Sequence, residues 1–291
     1  MKVNLKLLFL VFILSSFYTG MTSEPQQELS EFSLSGYNQK GEKTWQIQGK
    51  SAQILEEKVL LGEVLGKYFG EKETVTITAR RGEFNRKEGL LHLEENVIID
   101  TSSGATLFTN SLDWDRDKEI IFGKEPVKLI RPSLIVEAKG IQAQPSLKKI
   151  SLNEEIKVDI EQNRKNSSQK TSKIIITCDG PLEIDYDKNT ALFKNNVKVK
   201  TQDNMIHSDE MEVYFESQEA KDQSSDALHL GFQRAQIKKI IARGNVKIIH
   251  GENISYAQEV IYDTQERKII LKGSPQLIIS PEGKKNEASG N

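Results

Sequence analysis

Three stretches of this chain repeat one pattern: Glu95-Asn96-Val97-Ile98-Ile99, Asn195-Asn196-Val197-Lys198-Val199 and Gly244-Asn245-Val246-Lys247-Ile248. Each sets an asparagine, a turn residue, before a short alternating strand. About 15 residues after each asparagine a second alternating segment follows, marking a repeated unit. These segments are Leu112-Asp113-Trp114-Asp115, Met211-Glu212-Val213-Tyr214 and Val260-Ile261-Tyr262-Asp263. The outer two copies agree again, Ile120-Ile121-Phe122 leading to Pro126 and Ile269-Ile270-Leu271 to Pro275 at the same spacing. A repeated β unit constrains the chain to a stacked β scaffold. Its function then lies along an extended interior rather than at one catalytic point.

From Phe32 onward the pattern is period two. Phe32-Ser33-Leu34-Ser35-Gly36-Tyr37 alternates up to a turn at Asn38-Gln39-Lys40-Gly41, and Thr44-Trp45-Gln46-Ile47-Gln48-Gly49 alternates again. Further turns are read at Asn85-Arg86-Lys87-Glu88-Gly89, Asp115-Arg116-Asp117 and Asp187-Lys188-Asn189. Many short strands with regular turns indicate an all-β sandwich, barrel or roll. A helix over Gln53–Leu61 is the weaker alternative to strands there, because Gly62 and Gly66 follow it. The polar run at 161–173 reads as a linker between two β domains, at 30–160 and 174–281. Ser217–Ala227 reads as a long loop, and 282–291 as a disordered tail.

Composition narrows the function. Charged residues make up 28% of the chain, yet 40 basic and 42 acidic side chains leave a net charge of −2. That balance argues against general nucleic-acid binding, which needs a basic surplus. With Cys178 as the one cysteine, neither a disulfide framework nor a Cys-type zinc site can form within one chain. Cys178 reads as a small core residue on a strand. Lys2 and Lys6 precede an apolar run from Leu7, so residues 1–23 form either a signal peptide or a membrane anchor. Either sends the rest across a membrane, and no cysteine follows to carry a lipoprotein-type lipid.

The alternation keeps its phase from copy to copy. Val97 and Ile99, Val197 and Val199, and Val246 and Ile248 point one way, as do Leu112 and Trp114, Met211 and Val213, and Val260 and Tyr262. Phe32, Leu34, Trp45 and Ile47 extend the same dry face to the first strands. The other face carries Asp113, Asp115, Lys198, Lys200, Glu212, Lys247 and Asp263. One dry and one wet face on strand after strand lets two sheets close with their dry sides inward, and incomplete closure leaves an apolar trough.

Phe32-Ser33-Leu34-Ser35-Gly36-Tyr37-Asn38, with Gly41, Lys43, Trp45, Ile47, Gly49, Ser51 and Ala52, resembles the opening strands of the LptC-type periplasmic protein of lipopolysaccharide export. Gly244-Asn245-Val246-Lys247-Ile248, with Tyr262-Asp263 and Gly273-Ser274-Pro275, resembles the OstA or LptA-type domain of the same pathway. The first likeness covers roughly 30–150 and the second roughly 172–281. The resemblance implies an open β-jellyroll with a V-shaped cross-section, and jellyrolls docked end to end into a periplasmic bridge. That bridge runs from the permeases of an inner-membrane ABC transporter to a downstream bridge protein or the outer-membrane lipopolysaccharide assembly protein. Acyl chains travel inside and sugars project outward. The chain departs from the family pattern in joining both domain types.

On this reading the acyl-contacting residues are Phe32, Leu34, Trp45, Ile47, Val97, Ile99, Leu112, Trp114, Val197, Val199, Met211, Val213, Val246, Ile248, Val260 and Tyr262. No cofactor or metal is called for. The unpaired edges of an open jellyroll suit strand addition by a partner. Phe32–Tyr37 would meet the transporter, and Ile269–Ile279 the next bridge protein. Lys238, Lys239, Arg243 and Lys247 form a basic cluster, read first as a solvated β face and second as a contact for anionic head groups. Asp113, Asp115 and Asp117 share a face as paired catalytic carboxylates do, but their place at a strand end beside Arg116 and Lys118 marks a solvated turn. The competing reading is an envelope adaptor with a sealed core. A polysaccharide-binding module ranks last, for want of wet-face aromatics.

Overall fold

The computed structural model describes residues 27–70, 74–102, 104–115, 118–131, 134–144, 149–162, 172–217, 235–266 and 268–279. The expected leader at 1–23, most of the linker at 161–173, most of the Ser217–Ala227 loop and the tail at 282–291 lie outside the described residues. Among the described residues all regular structure is strand. The first nine strands are β1 (Gln27–Tyr37), β2 (Lys43–Ile54), β3 (Lys58–Phe69), β4 (Thr74–Asn85), β5 (Leu90–Thr101), β6 (Thr106–Asp115), β7 (Ile120–Arg131), β8 (Leu134–Gln144) and β9 (Lys149–Gln162). They are followed by β10 (Ser172–Cys178), β11 (Leu182–Asp185), β12 (Thr190–Lys200), β13 (Asn204–Ser217), β14 (Ala235–His250), β15 (Asn253–Asp263), β16 (Lys268–Lys272) and β17 (Gln276–Ile278).

Every ladder is antiparallel, and chain neighbours pair in order from β1 to β9. One half of β9 then pairs with β10 and the other with β11, and both of these pair with β12. The order resumes through β15, whose two halves pair with β16 and β17. Seventeen strands therefore make one sheet that crosses the boundary between the two expected domains without a break.

Side-chain caps close the hairpins where turn chemistry predicts them. Asn38 Oδ1 accepts the amides of Lys40 and Glu42 at 2.9 and 3.0 Å. Asn85 does the same for Lys87 and Glu88, and Asp185 for Lys188. Gln53–Leu61 is not helical. β2 runs to Ile54 and β3 starts at Lys58, joined by a turn in which Leu55 N donates to Lys58 O. Burial of Val59 and Leu61 around exposed Leu60 gives the segment a period of two.

The repeated asparagines differ from expectation. They are not turns that precede strands. Each lies in the middle of one, at a bulge with positive φ: Glu95 and Asn96 in β5, Asn195 and Asn196 in β12, Gly244 and Asn245 in β14. Asparagine tolerates the left-handed region in a bulge as well as in a turn, so sequence alone does not separate the two. Similar corners occur at Glu31, Glu63, Glu155 and Gly180. The asparagine amides pin them: Asn195 Nδ2 donates to Gly180 O at 2.7 Å, and Asn245 Nδ2 to Asp209 Oδ2 at 2.9 Å. Gly244 has φ 74°, and a Cβ there would overlap Asp209.

Aligned across the sheet, the corners form a crease that folds it into two facing walls. The expected pair of sheets is thus one sheet, each full-length strand contributing half of itself to either wall. One buried core joins the walls, running from Ile47 and Ala52 to Ala257 and Val260. The architecture is an all-β jellyroll-like fold: the alternation implied the all-β class, and the resemblance implied the jellyroll.

Candidate functional site between the walls

Cross-strand partners trace a continuous apolar row along each wall. On the first wall Leu34 faces Ile47, then Gly66, Ile77, Ile99 and Leu107 follow, each opposite the last. The row continues through Leu129, Val136, Val158, Ile176, Val199, Ile206 and Ile248. On the second wall Ala52, Leu61, Gly82, Leu93 and Leu112 run in register. Beyond β7, Ile141, Leu152, Leu182, Phe193, Met211, Ala242 and Val260 continue it. Both rows pass from β9 to β10 and β11 without a polar residue.

Between the walls lies an apolar cavity that is partly open to solvent. Among the described residues Thr101 is the single polar one on its lining, which runs from Val75 and Ile77 on β4 to Leu182 and Ile184 on β11. The space therefore spans most of the first half and reaches β11 in the second. Such a surface offers an occupant little but apolar contact.

Of the expected lining residues, Ile99 and Leu112 border this cavity directly. Ile47, Val97, Val197, Val199, Met211, Val213, Val246 and Val260 are buried in the shared core. Phe32, Trp45, Trp114 and Ile248 are half-buried and pack on it. Tyr262 faces Ile240, which also packs on the core, and Leu34 on the edge strand is exposed. Sequence reasoning missed most of the cavity's own wall, including Val127, Leu129, Leu134, Val136, Ile150 and Leu152. Their strands alternate cleanly but lack the asparagine-valine mark, so attention to the repeat passed over them.

The outer face carries paired charge. Glu137 takes Lys128 and Lys157 at 3.0 and 3.3 Å, and these contacts hold its carboxyl below the usual range. A ladder crosses β13 to β16. Arg243 Nη1 donates to Glu212 at 3.0 Å and its Nε to Glu259 at 3.2 Å, while Lys272 Nζ donates to Glu259 at 2.9 Å. Within the expected basic cluster, Arg243 is thus held between two carboxylates. Lys239 lies over the Tyr214 ring and Lys247 over that of Tyr256. His92 Nδ1 sits 2.7 Å from Asp113 Oδ1, and Asp115 accepts both the amide and the ammonium of Lys118. These acids belong to outer-face pairs and a turn. Among the described residues no group of three or more His, Cys, Asp or Glu could hold a metal ion.

Two edges end the sheet. Among the described residues β1 pairs only with β2, and β16 and β17 only with β15. The last edge exposes Ile269, Leu277, Ile278 and Ile279, the last at 71%. Among the described residues no helix is long and apolar enough to cross a membrane.

Comparison with curated proteins found no match. Two family models do match. Residues 18–161 fit the model for lipopolysaccharide-assembly, LptC-related proteins. Residues 176–291 fit that for the LptA/(LptD N-terminal domain) LPS transport protein. The two matches meet where β9 passes into β10 and β11, and together they cover most of the chain. The chain therefore belongs to the Lpt families, an LptC-related segment followed by an LptA/LptD N-terminal segment, and is a component of the periplasmic lipopolysaccharide transport bridge.

Proposed function

We propose that this chain carries lipopolysaccharide with the acyl chains between its two walls and the sugars outside. The single observation that supports this most is the unbroken pair of apolar rows across the boundary between the family segments. Burying a chain of about twelve carbons is favourable by on the order of 10 kcal/mol, at ~0.8 kcal/mol per CH₂. An exposed lysine–phosphate pair contributes at most about 1 kcal/mol. Acyl burial then dominates affinity, and the outer charges set orientation. Seventeen strands occupy fifteen positions, because β10 shares one with β11 and β16 another with β17. At ~4.8 Å per position the trough is on the order of 70 Å long.

On this reading residues 30–160 act as the LptC-type unit and 174–281 as the LptA-type unit, joined at 161–173. Residues 1–23 direct export or tether the chain to the inner membrane. The β1 edge meets the permeases of the inner-membrane transporter. The β16–β17 edge passes cargo to a downstream bridge protein or the outer-membrane assembly protein by strand addition. The exposed apolar residues of that edge favour this assignment.

Photo-crosslinking in cells tests the proposal. Reactive side chains at Trp114, Val199 and Tyr262 are expected to capture lipopolysaccharide, and those at Asp113, Lys198 and Asp263 are not. No adduct at either set, in exported and folded protein, would overturn the proposal in favour of a sealed adaptor. A charge pair in Leu277-Ile278-Ile279 is expected to abolish the downstream contact and leave folding intact. Unchanged co-purification of the partner would refute the edge assignment.

A further inference from the structure

The two tryptophans of the chain, Trp45 and Trp114, meet edge to face, with ring centroids 6.3 Å apart and planes at 87°. They come from opposite walls. Trp45 lies before the crease on β2, two residues from Ile47 of the first-wall row. Trp114 lies after the crease on β6, two residues from Leu112 of the second-wall row. Both sit on the rim side of their row, away from the crease, so their contact spans the open side of the fold.

This contact stands beside the cavity. Ile121, directly opposite Trp114, is on the cavity lining. On the other wall Trp45 faces Tyr68, and Tyr68 faces Val75, another lining residue. The pair therefore lies at the end of the cavity nearer the β1 edge. A lipid arriving from that edge has to keep its sugars outside while its acyl chains slide between the walls. A wall-to-wall contact blocks that slot.

We infer that Trp45 and Trp114 form a latch across the open side, which a lipopolysaccharide loading from the β1 edge must part. Both rings are half-buried, and an edge-on aromatic contact is weak enough to open under an entering apolar chain. Trp45 also has a built seat. A Cβ at Gly36 would overlap its indole, so the ring lies directly on the backbone of the edge strand. That edge strand is the one proposed to meet the transporter, which couples docking there to the position of the ring.

The inference rests on the carriage reading, and one experiment separates their failures. Because the chain has two tryptophans, a coupled indole circular-dichroism signal reports this pair alone. Purified full chain is titrated with purified lipopolysaccharide, binding being scored independently by co-elution of radiolabelled lipid. The coupled signal is expected to disappear as lipid co-elutes. Co-elution with an unchanged signal overturns the latch alone, whereas no co-elution overturns carriage and the latch with it. In parallel, Trp114→Ala is expected to load lipid several-fold faster, and Trp114→Phe to return toward the original rate. Gly36→Ala, which keeps both tryptophans and displaces one, covers the case in which the alanine variant does not fold. Unaltered loading rates in folded Trp114→Ala or Gly36→Ala protein overturn the latch.

Discussion

Cys178 shows how far one residue's chemistry is set by its neighbours. It is opposite Ile156 at the meeting of the two family segments, buried inside the core, and burial pushes its thiol up to about 11. At neutral pH it is therefore protonated and poorly nucleophilic. Alkylation by iodoacetamide is expected to be slow in the native protein and to become rapid in denaturant, a difference that mass spectrometry reads directly. Fast native labelling would show that the walls part at this point. Leu93, fully buried on the second wall, makes the complementary case. Leu93→Ala is expected to cost about 2–5 kcal/mol, measured by denaturant unfolding. The strand around Leu93 is legible in the alternation of Leu91, His92 and Leu93. That Gly36 exists to seat an indole is not, because the two residues meet only once β1 pairs with β2.

Elements were more legible than their corners. Period-two alternation located the strands, and asparagine and aspartate located the hairpins. The same asparagines misled at Asn96, Asn196 and Asn245, where positive φ serves a bulge inside a strand. Sequence carries the local backbone preference but not whether the chain reverses or only bends. The last edge strand depends on side chains as much as on its ladder. Lys272 and then Arg243 hold the Glu259 carboxyl below the usual carboxylate range by hydrogen bonding. A depressed folded value means the contact stabilises above the unfolded value and is lost as pH falls through the folded one. Protection of the Ile269–Leu271 amides, corrected for intrinsic exchange, is therefore expected to fall on acidification. Glu259→Gln should lower it at neutral pH and remove much of the pH dependence. Equal protection in both proteins at every pH would refute the clamp.

At the scale of the whole molecule, the expectation of two units and the observation of one sheet make different claims about unfolding. Because β9 pairs with β10 and β11, and the core is contiguous across them, the chain is expected to melt in one calorimetric transition. Val158→Asp, at the junction of the first-wall row, should lower that whole transition by burying an unpaired charge. Two resolved transitions, with only one shifted, would show that the halves fold independently. The sequence displayed both halves, through two distinct resemblances. It could not display their junction, where β9 pairs with β10 and β11, since the polar run at 161–173 reads locally as a linker.

That junction has a consequence for how such chains change in size. A closed barrel fixes its strand number, because the last strand must return to the first. Here, among the described residues, β1 does not pair with β16 or β17, so no geometric condition ties these edges together. Hairpins can be added or merged at either end while every existing contact is kept. Two separate proteins become one polypeptide by the same ladder that joins any neighbouring strands, and span becomes a quantity that gene fusion can adjust.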